Sequence, residues 1–513
     1  MRYNLISNIV MRTPYRRKSG AAMISALKQY SHCLSAKAFV AIWLTTAVLF
    51  VFTSCTERQP VSEPPNVVFI LVDDLGWADL GCTGSRVYET PNLDRLAAEG
   101  MIFSRFYSGG PVCSPGRAAL MTGKATARTG ITSYLITPEK EPDHMAHRLD
   151  PLEFTLGQAF LKHGYATGYV GKWHLGYKQE DWAGNRGFQF AVGGSTSAID
   201  WREAYPDKPL PIPENRLETY YFSPYYSTHL EDGPVGECLT DRLTDETIKF
   251  IESNREKPFF AFLSFHAVHT PLDAKREVEA KFRKKINEMG LLGKDDMAFG
   301  SRVYQNLPEY AAMVYQVDEN VGRLMDKLDA LGLADNTIVV FTSDNGGKGT
   351  VTSNAPLRGA KHGLYEGGIR VPFIVRWPGK VKADSQSDAP LCFTDCYPTL
   401  LDLAGLPLEP QQHVDGVSFK AILSGEQDTL GREALYWHYP HGPFQGVVRL
   451  GDYKLVYGYK TGQAELYDLG ADEGERNDIG AQNPELVTRL KAMLGEWLAE
   501  TGARFPKDGI IMP

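Results

Sequence analysis

The run Asn66-Val67-Val68-Phe69-Ile70-Leu71-Val72 is apolar after its first residue, rich in β-branched side chains, and ends abruptly on Asp73-Asp74. A strand without polar alternation must be buried on both faces, so this stretch demands a sheet covered by helices on either side. Comparable runs recur at 166–171, 259–265, 337–341 and 372–375. Between them, residues 90–99 (Leu93, Leu96 and Ala97 on one face), 155–163, 239–254 and 309–331 carry apolar residues at helical spacing. Strands alternating with helices of this length predict an α/β layer architecture around a large, mainly parallel central sheet. Ligands of such sheets bind beyond the carboxyl ends of the strands, where Asp73 and Asp74 fall.

A chain of 513 residues, 43% hydrophobic and 23% charged, can fill such a core and still cover itself with polar groups, which excludes global disorder. The texture changes after Leu406. Pro407 and Pro410 break the chain, residues 434–439, 447–450 and 453–459 read as short strands, and 484–500 as an amphipathic helix. This predicts a main domain over 66–406 and a small C-terminal α+β subdomain over 407–513 with a short antiparallel sheet.

The first 54 residues hold seven basic side chains and no acidic one, with an apolar run from Ala38 to Phe52. That run is short for a membrane span, which needs about 20 residues, and a basic region before it reads as an export signal. Cys55 directly after Thr53-Ser54 resembles a lipobox, with Phe52 where an aliphatic residue is more usual, so the expectation is an exported bacterial lipoprotein, periplasmic or on the cell surface, with a lipid on Cys55. Ordinary signal cleavage is the alternative. Residues 55–65, polar and Pro-rich, form a tether. Without the leader the body carries 47 basic against 62 acidic residues, a field that repels nucleic acid, so no nucleic-acid partner is expected.

Two polar clusters end apolar runs. Asp73-Asp74 converge where the first strand stops, and two converging carboxylates call for a cation. Thr342-Ser343-Asp344-Asn345-Gly346-Gly347 follows the run at 337–341. Either alone could be a turn. Together Asp73, Asp74, Asp344 and Asn345 form an all-oxygen ligand set, which favours Ca²⁺, or Mg²⁺, over zinc. The seven cysteines, at 33, 55, 82, 113, 238, 392 and 396, include no C-x-x-C pair, which argues against a structural zinc site. Cys392 and Cys396 could pair in an exported protein, buried free thiols being the plainer expectation.

The segment Val112-Cys113-Ser114-Pro115-Gly116-Arg117 starts a helix, since Pro115 is tolerated only in a first turn. Cys113 then lies where backbone amides favour negative charge, with Arg117 one turn later on the same face. C-x-P-x-R followed by Leu120 and Thr122-Gly123 resembles the signature of the formylglycine-dependent sulfatases, whose cysteine is oxidised to an aldehyde. The resemblance extends from Asn66 onward through Gly171-Lys172-Trp173-His174, Ala267-Val268-His269-Thr270-Pro271, Ser343-Asp344-Asn345-Gly346, Lys361 before Glu366-Gly367-Gly368-Ile369-Arg370, Gly451-Asp452-Tyr453-Lys454-Leu455 and Glu465-Leu466-Tyr467-Asp468-Leu469. One departure is Gly116, where serine is common in the family.

The resemblance implies an alkaline-phosphatase-like sandwich and a maturation partner, a formylglycine-generating enzyme or radical maturase, acting on Cys113. It implies that Asp73, Asp74, residue 113, Asp344 and Asn345 hold calcium, that Arg117, Lys172 and Lys361 surround the sulfate, that His174 takes a proton from the modified residue, and that His269, jointly with Lys361, serves the leaving oxygen. A hydrated aldehyde has two hydroxyls on one carbon: one attacks sulfur in line, and the other then loses its proton as the sulfate is expelled and the aldehyde re-forms. Relatives of this layout imply a sulfated carbohydrate as substrate. The aromatic-rich stretch 195–237 offers Trp201 and Arg202 as sugar contacts, or a loop pinning its own rings on the core, and His441 is a further candidate at the pocket mouth. Two other functions fit the same residues: a phosphoester or phosphonate hydrolase of the same superfamily, and a non-catalytic glycan-binding lipoprotein that never receives the aldehyde.

Overall fold

The structure, a computed structural model, describes residues 63–136, 142–193, 221–225 and 230–513. The leader, Cys55, most of the tether, Trp201 and Arg202 lie outside the described residues. Among the described residues, eight strands form the central sheet: β1 (Asn66–Val72), β2 (Met101–Phe103), β3 (Ala166–Gly171), β4 (Phe190–Val192), β5 (Phe259–Ser264), β6 (Thr337–Ser343), β7 (Phe373–Arg376) and β8 (Ser385–Ser387). Their order is β8-β2-β7-β6-β1-β5-β3-β4. β1 lies at the centre, parallel to β5 and β6, and β3 and β4 continue the parallel run. β7 runs antiparallel to both neighbours, so the sheet is mixed but mostly parallel.

Burial of β1 on both faces is directly visible. Val68, Ile70 and Val72 join a core with Leu243 and Ile251 of helix α2 (Leu239–Asn254) and Val317, Val321 and Leu324 of helix α3 (Pro308–Ala330). Val67, Phe69 and Leu71 join a second core with Ala118, Leu120 and Met121 of helix α1 (Cys113–Thr122) and Phe160 and Leu400. At about 1.5–3 kcal/mol per fully buried large side chain, these two layers supply the main driving force for the sandwich.

The differences from the sequence expectations are local. β6 runs to Ser343 rather than Phe341, because Thr342 and Ser343 stay in register with Leu71 and Val72 although their side chains are polar. β2, β4 and β8, of three residues each, are too short to show a period. The helix Arg276–Glu288, which buries only Phe282 and Ile286, adds to the helices expected. Cys392 and Cys396 are buried free thiols.

The C-terminal part is a four-stranded antiparallel meander of β9 (Ala434–Tyr439), β10 (Gln445–Leu450), β11 (Tyr453–Gly458) and β12 (Ala464–Asp468). The fourth strand adds to the three short runs expected. Helix α4 (Pro484–Thr501) covers one face through Leu490, Leu494 and Leu498. The other face packs Trp437, Val447, Val456 and Tyr467 against Tyr107, Val112, Leu364 and Ile369 of the main sandwich.

Candidate active site

β1 and β6 end side by side, and that adjacency builds the site. Asp73 and Asp74 leave β1 while Asp344 and Asn345 leave β6, and the Asp74 amide donates to Asp344 Oδ1 at 3.2 Å. Asp74 sits at φ 64°, an unfavourable conformation for a non-glycine residue, and all four side chains are buried. From the other side, α1 delivers Cys113 in its first turn, with Sγ 3.3 Å from Asp73 Oδ1. Arg117, one turn on, donates through Nε to Asp344 Oδ2 at 2.9 Å and through Nη1 to the Lys172 carbonyl at 2.6 Å.

Two lysines complete the ring. Lys172 Nζ donates to Asp73 Oδ2 at 2.5 Å, and Lys361 Nζ lies 2.6 Å from Asp74 Oδ1 and 3.5 Å from Cys113 Sγ. His269 Nε2 lies 3.5 Å from Asp74 Oδ2, while its Nδ1 bonds the Thr270 carbonyl at 2.6 Å. His174, held at φ 61°, bonds the Leu135 carbonyl through Nε2 at 2.8 Å. The sequence-expected residues Asp73, Asp74, Cys113, Arg117, Lys172, His269, Asp344, Asn345 and Lys361 are therefore brought together through direct contacts. His174 is tied in through Lys172, two residues before it.

Two glycines make these approaches possible. A Cβ on Gly171 would fall 1.8 Å from the Ser264 carbonyl, where β3 and β5 close up before Lys172. A Cβ on Gly116 would fall 2.3 Å from the Asp344 carbonyl and 2.6 Å from Ser108 Oγ. The departure from serine at position 116 thus matches a helix pressed directly against the β6 turn.

The electrostatics follow from burying three carboxylates with three cations. Burial is the largest single influence and would raise the Asp73 carboxyl, but Lys172, His269, Arg117 and Lys361 together outweigh it and hold it well below the usual range. Burial, then the charge of Asp73, pushes Asp344 up despite Arg117. The Cys113 thiol is pushed up by burial first and by Asp73 second, so an unmodified side chain there stays a neutral thiol. Burial, and then Lys172, holds His174 well below its usual value, so it is a neutral imidazole with a free lone pair.

The structure also brings in residues that sequence reading passed over. His266, buried three residues before His269, is held neutral at about 3 by burial and then by Lys172, and its Nδ1 makes no hydrogen bond among the described residues. Tyr221 donates to the carbonyls of both His266 and His269, at 2.8 and 2.7 Å, so this ring of the aromatic-rich stretch pins the histidine loop. Lys348 Nζ bonds Thr270 Oγ1 at 2.9 Å. Proximity to His269 in sequence was the available signal for His266, whereas Tyr221 stood out only as one ring of the aromatic-rich stretch. His441 has a different setting: it stacks on His144 at 4.7 Å between ring centroids and bonds Thr132 Oγ1 at 2.8 Å. His438 is buried, with both ring nitrogens bonded, to Tyr459 and to the Arg504 carbonyl.

A divalent cation fits these residues. One ligand atom each from Asp73, Asp74, Cys113 and His269 lie within 4.8 Å of one another. Asp344 and Asn345 adjoin them, and the buried Asn345 Oδ1 makes no hydrogen bond among the described residues while its Nδ2 donates to Asp74 Oδ1 at 2.8 Å. A buried amide oxygen without a donor, beside three carboxylates, is an acceptor that a hard cation satisfies, which favours the oxygen set over the two softer donors.

Comparison with known proteins bears on the same residues. The sulfatase family model matches residues 65–406, and a model described as N-sulphoglucosamine sulphohydrolase, C-terminal, matches 360–501. A sulfatase of Formosa agariphila is 31% identical over 520 residues, covering 88% of this chain and 91% of that protein. The N-acetylgalactosamine-6-sulfatase of Mus musculus is 33% identical over 422 residues, covering 80% of this chain and 75% of that protein. The solved structure of Ps i-CgsB in complex with k-i-k-neocarrahexaose superimposes with a TM-score of 0.70 at 30% identity, covering 86% of this chain and 94% of that one. The sandwich with its C-terminal antiparallel sheet is the alkaline-phosphatase-like fold of these neighbours, and the chain belongs to the sulfatase family.

Proposed function

We propose that this sulfatase removes sulfate from a sulfated carbohydrate, using a formylglycine made from Cys113 by a maturation enzyme and a divalent cation, calcium before magnesium, held by Asp73, Asp74, Asp344 and Asn345. The observation that carries the reading is the placement of Cys113: at the start of a helix whose ten residues are all buried, 3.3 Å from Asp73 Oδ1 and 3.5 Å from Lys361 Nζ. A neutral, buried thiol beside a carboxylate is a poor nucleophile, and its conversion to a hydrated aldehyde supplies an attacking hydroxyl together with a second hydroxyl that later expels the sulfate. The cation, when bound, would share the charge of the sulfate oxygens.

The chain's own groups divide the remaining work. Arg117, Lys172 and Lys361 balance the negative charge that grows on the sulfate group. His174, neutral and with Nδ1 free of hydrogen bonds among the described residues, accepts the proton of the second hydroxyl. His269, oriented through Nδ1 by the Thr270 carbonyl, serves the departing sugar oxygen through Nε2: the imidazolium form gives that oxygen a proton, or His269 stabilises it jointly with the Lys361 ammonium, although burial disfavours the charged ring. The N-acetylgalactosamine-6-sulfatases and the neocarrahexaose complex support a sugar ester as substrate. The leader supports export and a lipid on Cys55, which membrane fractionation of the wild type against Cys55→Ala would test: release of the variant alone is expected, and equal anchoring of both would refute the lipid.

Paired nitrophenyl sulfate and phosphate esters, together with a panel of sulfated mono- and oligosaccharides, test the substrate class. Sulfate release from at least one sugar ester is expected; a strong preference for the phosphate ester would reassign the chain to phosphoester hydrolysis.

A further inference from the structure

Lys361 reaches the site on a segment that does not belong to the central sheet, and the C-terminal meander holds that segment in place. The Leu364 amide donates to Gln445 Oε1 at 3.2 Å, and Tyr365 donates to Glu465 Oε2 at 2.7 Å. The Glu366 amide donates to Glu475 Oε2 at 2.7 Å. Between the two glutamates sits Lys454 of β11, its Nζ 2.8 Å from Glu366 Oε1 and 2.9 Å from Glu475 Oε1, all three side chains being fully buried. Tyr107 closes the group by donating to Glu366 Oε2 at 2.7 Å.

The other edge of the same segment touches the catalytic loops. The His362 amide donates to the Pro111 carbonyl two residues before Cys113, at 2.9 Å. The Gly346 amide donates to the Gly368 carbonyl at 3.0 Å, and the Ser108 amide to the Ile369 carbonyl at 2.8 Å. Residues 361–369 therefore form a bar, clamped by the meander on one side and bearing on the turns of Cys113 and Asn345 on the other. A buried ion triad is costly to desolvate and fixes geometry rather than adding much net stability, which is what a positioning device needs.

We infer that Lys454, through Glu366 and Glu475, is a positioning residue for Lys361, and that the C-terminal sheet serves this sulfatase by setting the reach of that lysine. The inference rests on the reading of Lys361 as a group acting on the sulfate ester. Uncompensated removal of Lys454 would leave two buried carboxylates, so the test uses the charge-balanced pair Lys454→Met with Glu475→Gln, and separately Gln445→Ala, which buries no charge.

A mutant cycle with Lys361→Ala reads the coupling, using aldehyde-bearing protein matched by mass spectrometry and an active sugar sulfate or nitrophenyl sulfate. In the wild-type background the Lys454/Glu475 pair is expected to lower kcat about tenfold, with KM changed less than twofold, and Gln445→Ala to lower it about threefold. In the Lys361→Ala background both effects should vanish. Lys454→Arg should restore part of the kcat lost on removing Lys454. Equal loss of kcat in both backgrounds, or loss of melting temperature with kcat unchanged, would overturn the positioning role. Wild-type activity of Lys361→Ala would instead overturn the reading of Lys361 itself, so the two failures are distinguishable.

Discussion

Two groups of buried charge meet along the short stretch from Lys361 to Glu366, and they are built to different ends. At the strand ends, Asp73, Asp74 and Asp344 face Arg117, Lys172 and Lys361, yet Asn345 Oδ1, His174 Nδ1 and His266 Nδ1 form no hydrogen bonds among the described residues. In the clamp, Glu366 and Glu475 share Lys454, and their remaining oxygens take Tyr107 and the Glu366 amide. The first cluster keeps bonding capacity unspent, and the second spends most of it on fixing two parts of the chain to each other, with Glu475 Oε1 meeting Lys454 as an ion pair. Burial and ion pairing are common to both, so the unspent capacity is what separates chemistry from architecture.

The comparison breaks most severely if Cys113 is dispensable. Cys113→Ala is expected to lower sulfate release by roughly 10⁵-fold or more while leaving the melting temperature within about 2 °C, measured by released sulfate and thermal unfolding. Asp344→Ala removes a carboxylate from the unspent cluster and leaves Arg117 without its closest carboxylate. Its activity should fall about 10³-fold, and calcium, which should raise the wild-type melting temperature, should no longer do so. Lys172→Ala should cost about 10²-fold in kcat/KM, since one of three cations around the sulfate is lost while the cation ligands remain.

The clamp should respond in stability rather than in bound metal. Lys454→Met alone leaves Glu366 and Glu475 buried without their shared cation, at a cost of about 3–5 kcal/mol in denaturant unfolding, with the calcium response retained. The smallest effect is on pH dependence. Burial, with Glu366 adding to it, raises Glu475 from 4.5 to about 7, so its contribution to stability is full below about pH 4.5 and is lost as pH rises through 7. Glu366 is the opposite: burial would raise it, but Lys454, Arg370 and Arg449 bring it to about 2, so its contribution is present above 4.5 and is lost as pH falls through 2. Glu475→Gln should therefore flatten the decline in melting temperature between pH 4.5 and 7, and leave the acid limb below 4.5 in place.

The parts of the molecule legible in sequence were those where one local pattern serves one purpose. The doubly buried run 66–72 specified a covered sheet, and the polar residues that stop it, with those that stop β6, specified where the oxygen ligands stand. Pro115 and Arg117 set the register of Cys113 in its helix. Long-range placement left no such trace. Nothing in Lys454, Glu475 or Gln445 announces a hold on the Lys361 segment, because each bond crosses from 81 to 109 residues of chain. Tyr221 was visible only as one ring in an aromatic-rich stretch, and its grip on the His266 and His269 carbonyls crosses 45 and 48 residues of chain. His441, expected at the pocket mouth from its position in the tail, stacks on His144 and bonds Thr132, a pairing between segments that no periodicity encodes.

The account depends above all on the chemical state of residue 113. Mass spectrometry of the peptide spanning Val112 to Arg117, from protein matured in its own host, should be run beside a sulfate-release assay on the same preparation. The account predicts a loss of about 18 Da at Cys113, the mark of an aldehyde in place of the thiol, and activity proportional to the modified fraction. An intact cysteine in a preparation that releases sulfate at full rate would contradict it.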